Sequence, residues 1–132
     1  MPHLLALLLA TAFAPLAAPL FAQELPTVTI LVATHSRPEF LRHSLESVVK
    51  QTYPAGSIAE IVVVDDSPSE ELRLPELRSG TFGQLPVVYV ELPERVSIGA
   101  KRNIALARAT GDVVVHWDDD DFSGSERLIT QV

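Results

Sequence analysis

With 132 residues the chain has room for one domain, and a short one once its amino-terminal stretch is set aside. A formal charge of −7 argues against nucleic acid, whose phosphates need clustered Lys and Arg to neutralise them. The lack of cysteine excludes a disulfide framework and thiolate zinc sites, so the fold must be held by its core alone.

Residues 1–23 stand apart. Leu4, Leu5, Leu7, Leu8 and Leu9 lie among alanines, and no Lys or Arg occurs before Arg37. This is the apolar core of a secretory signal without its basic n-region, with two candidate cuts: after Ala22, where Leu20 is large for its position, or after Ala14, where Ala12 fits but Pro15 follows. An uncleaved anchor competes with that reading, because the stretch nearly reaches the roughly 20 apolar residues that span a bilayer. Pro15, Pro19 and the missing basic flanks count against the anchor, and a misassigned start is the third alternative. Secretion or passage through the secretory pathway follows, with membrane attachment if the segment is retained.

The run V-T-I-L-V-A at 28–33 is apolar and β-branched, as a strand covered on both faces of a parallel sheet requires. A helix should follow at once. Ser36 and Glu39 have capping-box spacing, Pro38 suits the first turn, and Phe40, Leu41, Leu45, Val48 and Val49 recur at helical spacing up to about Gln51. Residues 61–64, I-V-V-V, form a second covered strand closed by the turn Asp65-Asp66-Ser67-Pro68. Residues 69–73 start a short helix that Pro75 stops, 75–86 read as a loop holding Gly80 and Gly83, and 87–91 make a third strand. Ser97 caps a helix from Ile98 to about Ala109, with Gly111 expected in a left-handed conformation at its end. A fourth strand covers 113–117, in which His116 and Trp117 pack as strand residues.

Strands alternating with helices imply right-handed crossovers and an α/β fold, an open parallel sheet with helices on both faces. Residues 125–129 then resemble a helix start without a body. Four strands would leave an open edge and apolar surface, so the chain reads as part of a larger domain, apparently truncated.

Ligands of such sheets bind beyond the carboxyl ends of the strands, and three polar clusters fall there. They are Thr34-His35-Ser36-Arg37, Asp65-Asp66, and the run Asp118-Asp119-Asp120-Asp121 before Phe122. Four adjacent carboxylates repel one another unless a cation lies among them, and an oxygen-only donor set favours Mg²⁺ or Mn²⁺. A solvated acidic turn is the competing reading. The first loop lacks glycine, so dinucleotide binding is poor. Asp65-Asp66 reads either as a clasp for a ribose or base, or as an Asx turn closing its strand. Lys101, Arg102 and Asn103 near a helix amino terminus suit phosphate, against the simpler reading of an exposed basic face.

The motifs T-I-L-V-A-T-H-S-R-P-E-F-L, Q-T-Y-P, I-V-V-V-D-D-S, I-G-A-K-R-N-I-A-L-A-R-A-T-G-D and W-D-D-D-D-F occur in order over residues 27–128. Together they resemble the nucleotide-binding half of family 2 glycosyltransferases, which have the Rossmann-like GT-A fold. The resemblance implies that 24–132 is part of such a domain. It implies a nucleoside-contacting loop at Ala33, Thr34, His35 and Arg37, a base-pairing acid at Asp66, and a segment beside the diphosphate at Lys101, Arg102 and Asn103. Asp118 and Asp120 fall on the family's D-x-D, which implies that Asp120 ligates Mn²⁺ or Mg²⁺ and that Asp118 lies near the metal and the ribose or sugar, with Asp119 between them. His35-Ser36 stands where Tyr-Asn is usual and Ala33 where Pro is usual, departures that bear on base preference.

The implied chemistry is transfer of a sugar, with inversion, from a nucleoside diphosphate donor to a hydroxyl or amine acceptor. The general base is expected beyond Val132, so the chain alone should bind a nucleoside diphosphate weakly, with metal dependence and without turnover. Two alternatives stand: a haloacid-dehalogenase-type phosphatase, for which Phe122 is the wrong residue after the acids, and a non-catalytic truncated binding fragment.

Overall fold

The computed structural model describes residues 25–121 and 123–132; the proposed leader at 1–23 and Phe122 lie outside the described residues. In chain order the elements are β1 (Val28–Thr34), α1 (Pro38–Val49), β2 (Ile58–Asp65), β3 (Thr81–Phe82), β4 (Leu85–Glu91), α2 (Ile98–Arg108), β5 (Val113–His116) and α3 (Arg127–Gln131). The strands form one sheet in the order β3-β4-β2-β1-β5, parallel except for the β3–β4 hairpin. No helix among the described residues is long and apolar enough to cross a membrane.

The β-branched run of β1 is buried on both faces because successive side chains point to opposite sides of a strand. Ile30 and Val32, with Ile61 and Val63 of β2, pack in the same core as Leu41, Leu45 and Val48 of α1. Leu31, Val62 and Val64 pack on the opposite side with Ala105 of α2. Helices therefore cover both faces, as the alternation of motifs implies. Leu41, Leu45 and Val48 are essentially inaccessible to solvent, and such side chains contribute about 1.5–3 kcal/mol each.

Three local expectations are corrected. The capping box at Ser36 and Glu39 does not form: Ser36 takes a left-handed φ of 54° and its N–H donates to Ser67 Oγ at 2.8 Å, so Arg37 occupies the cap position. Glu39 instead pairs with Arg42 at 2.7 Å. Residues 75–86 are not a plain loop. A 3₁₀ turn over Pro75–Ser79 ends at left-handed Gly80, and Gly83, with φ 60°, turns the chain between β3 and β4. That tight antiparallel turn needs a residue free to adopt positive φ.

Gly111 is required for a different reason from the expected one. The α2 helix ends at Arg108 with extended Ala109, and Gly111 is not left-handed. It lies against β1, where an added Cβ would come within 2.8 Å of the Thr29 amide nitrogen and 2.9 Å of Val28 C. Its own N–H donates to Thr29 Oγ1 at 2.9 Å. Gly111→Ala forces β1 and the start of β5 apart, and a loss of about 3 kcal/mol is expected in urea unfolding. An unchanged midpoint would show that this contact relaxes freely.

The register sets the site. Thr34 aligns with Asp65 and Asp65 with Glu91, so β1, β2 and β4 end level with one another. On the other side Leu31 pairs with His116, and Trp117 N–H donates to the Leu31 carbonyl at 2.9 Å. Past the end of β5, Asp119 reaches Thr34, whose hydroxyl donates to it at 2.9 Å. The chain runs outward from β1 through β2 to β4 and returns through α2 to β5 on the far side of β1. Such a reversal opens a crevice at the carboxyl ends of the strands.

Candidate functional site

A cleft of about 460 Å³ lies at that crevice. One wall is the first loop, with Ala33, Thr34, His35 and Arg37; the other is the start of α2 and the segment before it, with Arg95, Val96, Ser97, Ile98 and Lys101. Asp119 lies in the lining between them. Ser97 caps α2 through its side chain, which accepts from Ala100 N–H at 3.0 Å. The first amides of a helix have no partner within it and carry a partial positive charge, so this wall favours an anion.

Asp65 and Asp66, adjacent in sequence, hold different parts of the scaffold. Asp65 makes the Asx turn, accepting from Ser67 N–H at 2.8 Å, and also accepts from the Tyr89 hydroxyl. The Asp66 side chain is wholly buried and joins the two cleft walls. One oxygen lies 2.7 Å from His35 Nδ1 and 2.9 Å from Lys101 Nζ, and the other accepts from Val96 N–H at 2.8 Å. Lys101 Nζ also donates to the Thr34 carbonyl at 3.2 Å. A nucleobase could reach Asp66 only by displacing one of these donors.

Burial alone would raise the Asp66 carboxyl, but the Val96 amide, Lys101 and His35 outweigh it and hold the group below the ordinary aspartate value. A carboxylate depressed in the folded state stabilises fully above its unfolded value of about 3.9 and loses that contribution as pH falls through the folded value. Acid unfolding followed by circular dichroism should therefore be steeper below about pH 4 for the native chain than for Asp66→Asn. Parallel acid limbs would count against the assignment.

The acidic run after β5 is sorted by the turn that it makes. Asp121 N–H donates to the Asp118 carbonyl at 3.0 Å, and Asp118 N–H returns a bond to Asp121 Oδ2 at 3.0 Å. Asp119 turns inward and accepts from the Thr34 hydroxyl at 2.9 Å, with Arg37 at 3.5 Å. Burial pushes its carboxyl above the ordinary value; Thr34 and Arg37 oppose the shift, and Asp120 and Asp118 add to it. Asp118 and Asp120 face outward beside Asp121, and one carboxylate oxygen from each of the three lies within 4.8 Å of the others. Arg37 reaches Asp120 at 3.6 Å and Arg102 reaches Asp118 at 3.4 Å. The turn is seated on α1, where Ser44 Oγ donates to the Asp118 carbonyl at 2.7 Å.

Residues 29–132 match the family model described as Glycosyl transferase family 2. The chain belongs to that family. It is 36% identical over 107 residues to the amylovoran biosynthesis glycosyltransferase AmsE of Erwinia amylovora, covering 80% of this chain and 38% of AmsE. It is 32% identical over 101 residues to the poly(ribitol-phosphate) β-N-acetylglucosaminyltransferase TarS of Staphylococcus aureus, covering 76% of this chain and 17% of TarS. Among solved structures, the mannosyltransferase PcManGT of Pyrobaculum calidifontis, in complex with GDP-Man and Mn²⁺, superposes with a TM-score of 0.69 at 30% identity, over 78% of this chain and 30% of that one. TarS 1-349 in complex with UDP-GlcNAc gives 0.68 at 30% identity, over 80% and 30%. The α/β sheet is thus that of the GT-A enzymes, and the chain spans well under half the length of these relatives.

Within this family 2 domain the cleft brings together Ala33, Thr34, His35, Arg37, Lys101 and Asp119, all read from the sequence as site residues. Asp66 lies behind them. Arg102 faces the acidic turn, and Asn103 is exposed and outside the cleft lining. The strand expected over 113–117 ends at His116, which is exposed, and Trp117, just past it, is buried. Sequence reading missed Arg95, Val96 and Ile98, whose only signal is their position just before and after the Ser97 cap. It also missed the pairing of Asp121 with Arg127, six residues on, at 3.0 Å.

Proposed function

We infer that the cleft is the donor site of an inverting glycosyltransferase, binding a nucleoside diphosphate sugar together with a divalent cation and passing the sugar to a hydroxyl or amine acceptor. The observation that carries this reading is the convergence of Thr34, Asp66 and the acidic turn on one crevice where β1, β2 and β5 end, in a family 2 chain. The relatives crystallised with GDP-Man and Mn²⁺ or with UDP-GlcNAc support it. They give the phosphatase alternative no support.

The acidic turn fits Mn²⁺ or Mg²⁺ by the chemistry of its donors: carboxylate oxygens from Asp118, Asp120 and Asp121, clustered and partly exposed, with no sulfur or imidazole among them. Such an ion would neutralise the charge that grows on a diphosphate leaving group. The protein's own groups bind and orient. Arg37 stands between the turn and the cleft, while Arg95 and the first amides of α2 face the space that a diphosphate would fill. His35, anchored on Asp66, and Ala33 form the wall against which a nucleoside would lie. Residues 1–23 would direct the chain to the secretory pathway, or hold it at a membrane if retained.

Calorimetric titration with UDP and GDP sugars, with and without Mn²⁺, tests this reading. Binding should weaken about tenfold or more when EDTA removes the cation. Tight binding indifferent to metal would contradict the site.

A further inference from the structure

Resting on the reading of the acidic turn as the cation site, we propose that Arg127 is a positioning residue that takes Asp121 out of the ligand set. Asp118 and Asp120 are then the pair that holds the cation. The three carboxylates are alike in sequence and close in space, and what separates them is the arginine that each meets.

Arg127 is fixed on every side. Its guanidinium stacks 4.0 Å from the centre of the Trp117 ring. One terminal nitrogen donates to Asp121 Oδ2 at 3.0 Å and to Ser123 Oγ at 2.9 Å, and the other donates to the His116 carbonyl at 2.9 Å. The side chain is 21% exposed. A planar guanidinium held by stacking and by several acceptors loses little further freedom and is not readily displaced. The indole beneath it is buried, and its own N–H has no hydrogen-bond partner among the described residues, so packing and the guanidinium stack hold the ring.

Arg37 and Arg102 differ in kind. Their side chains are 53% and 42% exposed and reach Asp120 and Asp118 only at 3.6 and 3.4 Å. Exposed pairs at such distances contribute little, so an arriving cation displaces them readily. The Asp121–Arg127 pair also sets the shape of the turn, because the oxygen that Arg127 holds is the one that accepts from Asp118 N–H. Arg127 thereby orients the backbone that carries Asp118 and Asp120, in the way that outer partners orient metal ligands.

The test is Mn²⁺ binding to the full chain, with free Mn²⁺ counted by electron paramagnetic resonance and folding followed by circular dichroism. Asp120→Asn should weaken Mn²⁺ on the order of a hundredfold. Asp121→Asn, whose amide oxygen still accepts from Asp118 N–H, should stay within about threefold of the native chain, and Arg127→Gln should lose about tenfold through the loosened turn. Asp121→Asn falling as far as Asp120→Asn, or Arg127→Gln binding Mn²⁺ as well as or better than the native chain, would overturn the proposal. If Arg127→Gln does not fold, the comparison of the two aspartate variants decides alone. Mn²⁺ binding untouched by Asp120→Asn would be a separate failure, that of the cation site itself.

Discussion

Exchanging Lys101 for methionine should cost about 3 kcal/mol of folding stability, because it leaves the buried Asp66 carboxylate without its ammonium partner. Methionine fills much of the lysine stem's volume, so the loss reports charge rather than a cavity. The figure is set at the low end of what breaking a buried pair costs, since His35 and the Val96 amide still contact the carboxylate. A second change, Asp66→Asn in the Lys101→Met background, should recover part of the loss, because a neutral amide is far cheaper to bury than an unpaired charge. Urea unfolding of the two single variants and the double variant closes the cycle. A Lys101→Met midpoint equal to that of the native chain would mean that the pair contributes nothing. The cleft should respond as well: Lys101 also binds the Thr34 carbonyl, so its loss frees the end of β1 from α2 and widens the space between the walls.

The parts of this fold legible from sequence are those with a period. β1 and β2 announce themselves as β-branched runs covered on both faces, α1 by apolar spacing and α2 by its Ser97 cap, which suffices for the sheet, its parallel sense and the placing of three polar clusters at strand ends. What was misread depends on contacts distant along the chain. Ser36 has the sequence of a helix cap, but its backbone is drawn to Ser67, 31 residues away, which no local rule anticipates. β3 is two residues long and carries no period at all. Gly111 is needed because Thr29 passes beside it, 82 residues earlier in the chain. Four successive aspartates look equivalent until the turn sends Asp119 to Thr34 and Asp121 to Arg127, and leaves Asp118 and Asp120 facing out.

Asp120→Asn should remove the metal-dependent part of nucleotide binding. Asp120 lies at the tip of the turn with its side chain 55% exposed, and its ion-pair partner, Arg37, also leans on Asp119 at the cleft. A cation held there would supply positive charge at the acidic turn, and the first amides of α2 supply it at the cleft wall, so a diphosphate in the cleft would meet both. Losing one of two charged oxygen ligands should weaken UDP binding in Mn²⁺ on the order of a hundredfold, about 2.7 kcal/mol. UDP binding in EDTA should not change, because the groups that would face the nucleotide without metal, His35, Arg95 and the start of α2, are untouched. Asp119→Asn separates the two carboxylates by role. Its neutral amide still accepts from Thr34 and removes the charge whose burial, with some repulsion from Asp120 and Asp118, raises the Asp119 carboxyl, so it should keep Mn²⁺ dependence while Asp120→Asn loses it. If instead the two variants lose metal dependence alike, the inward-facing acid is a ligand too, and the division of labour within the turn is wrong.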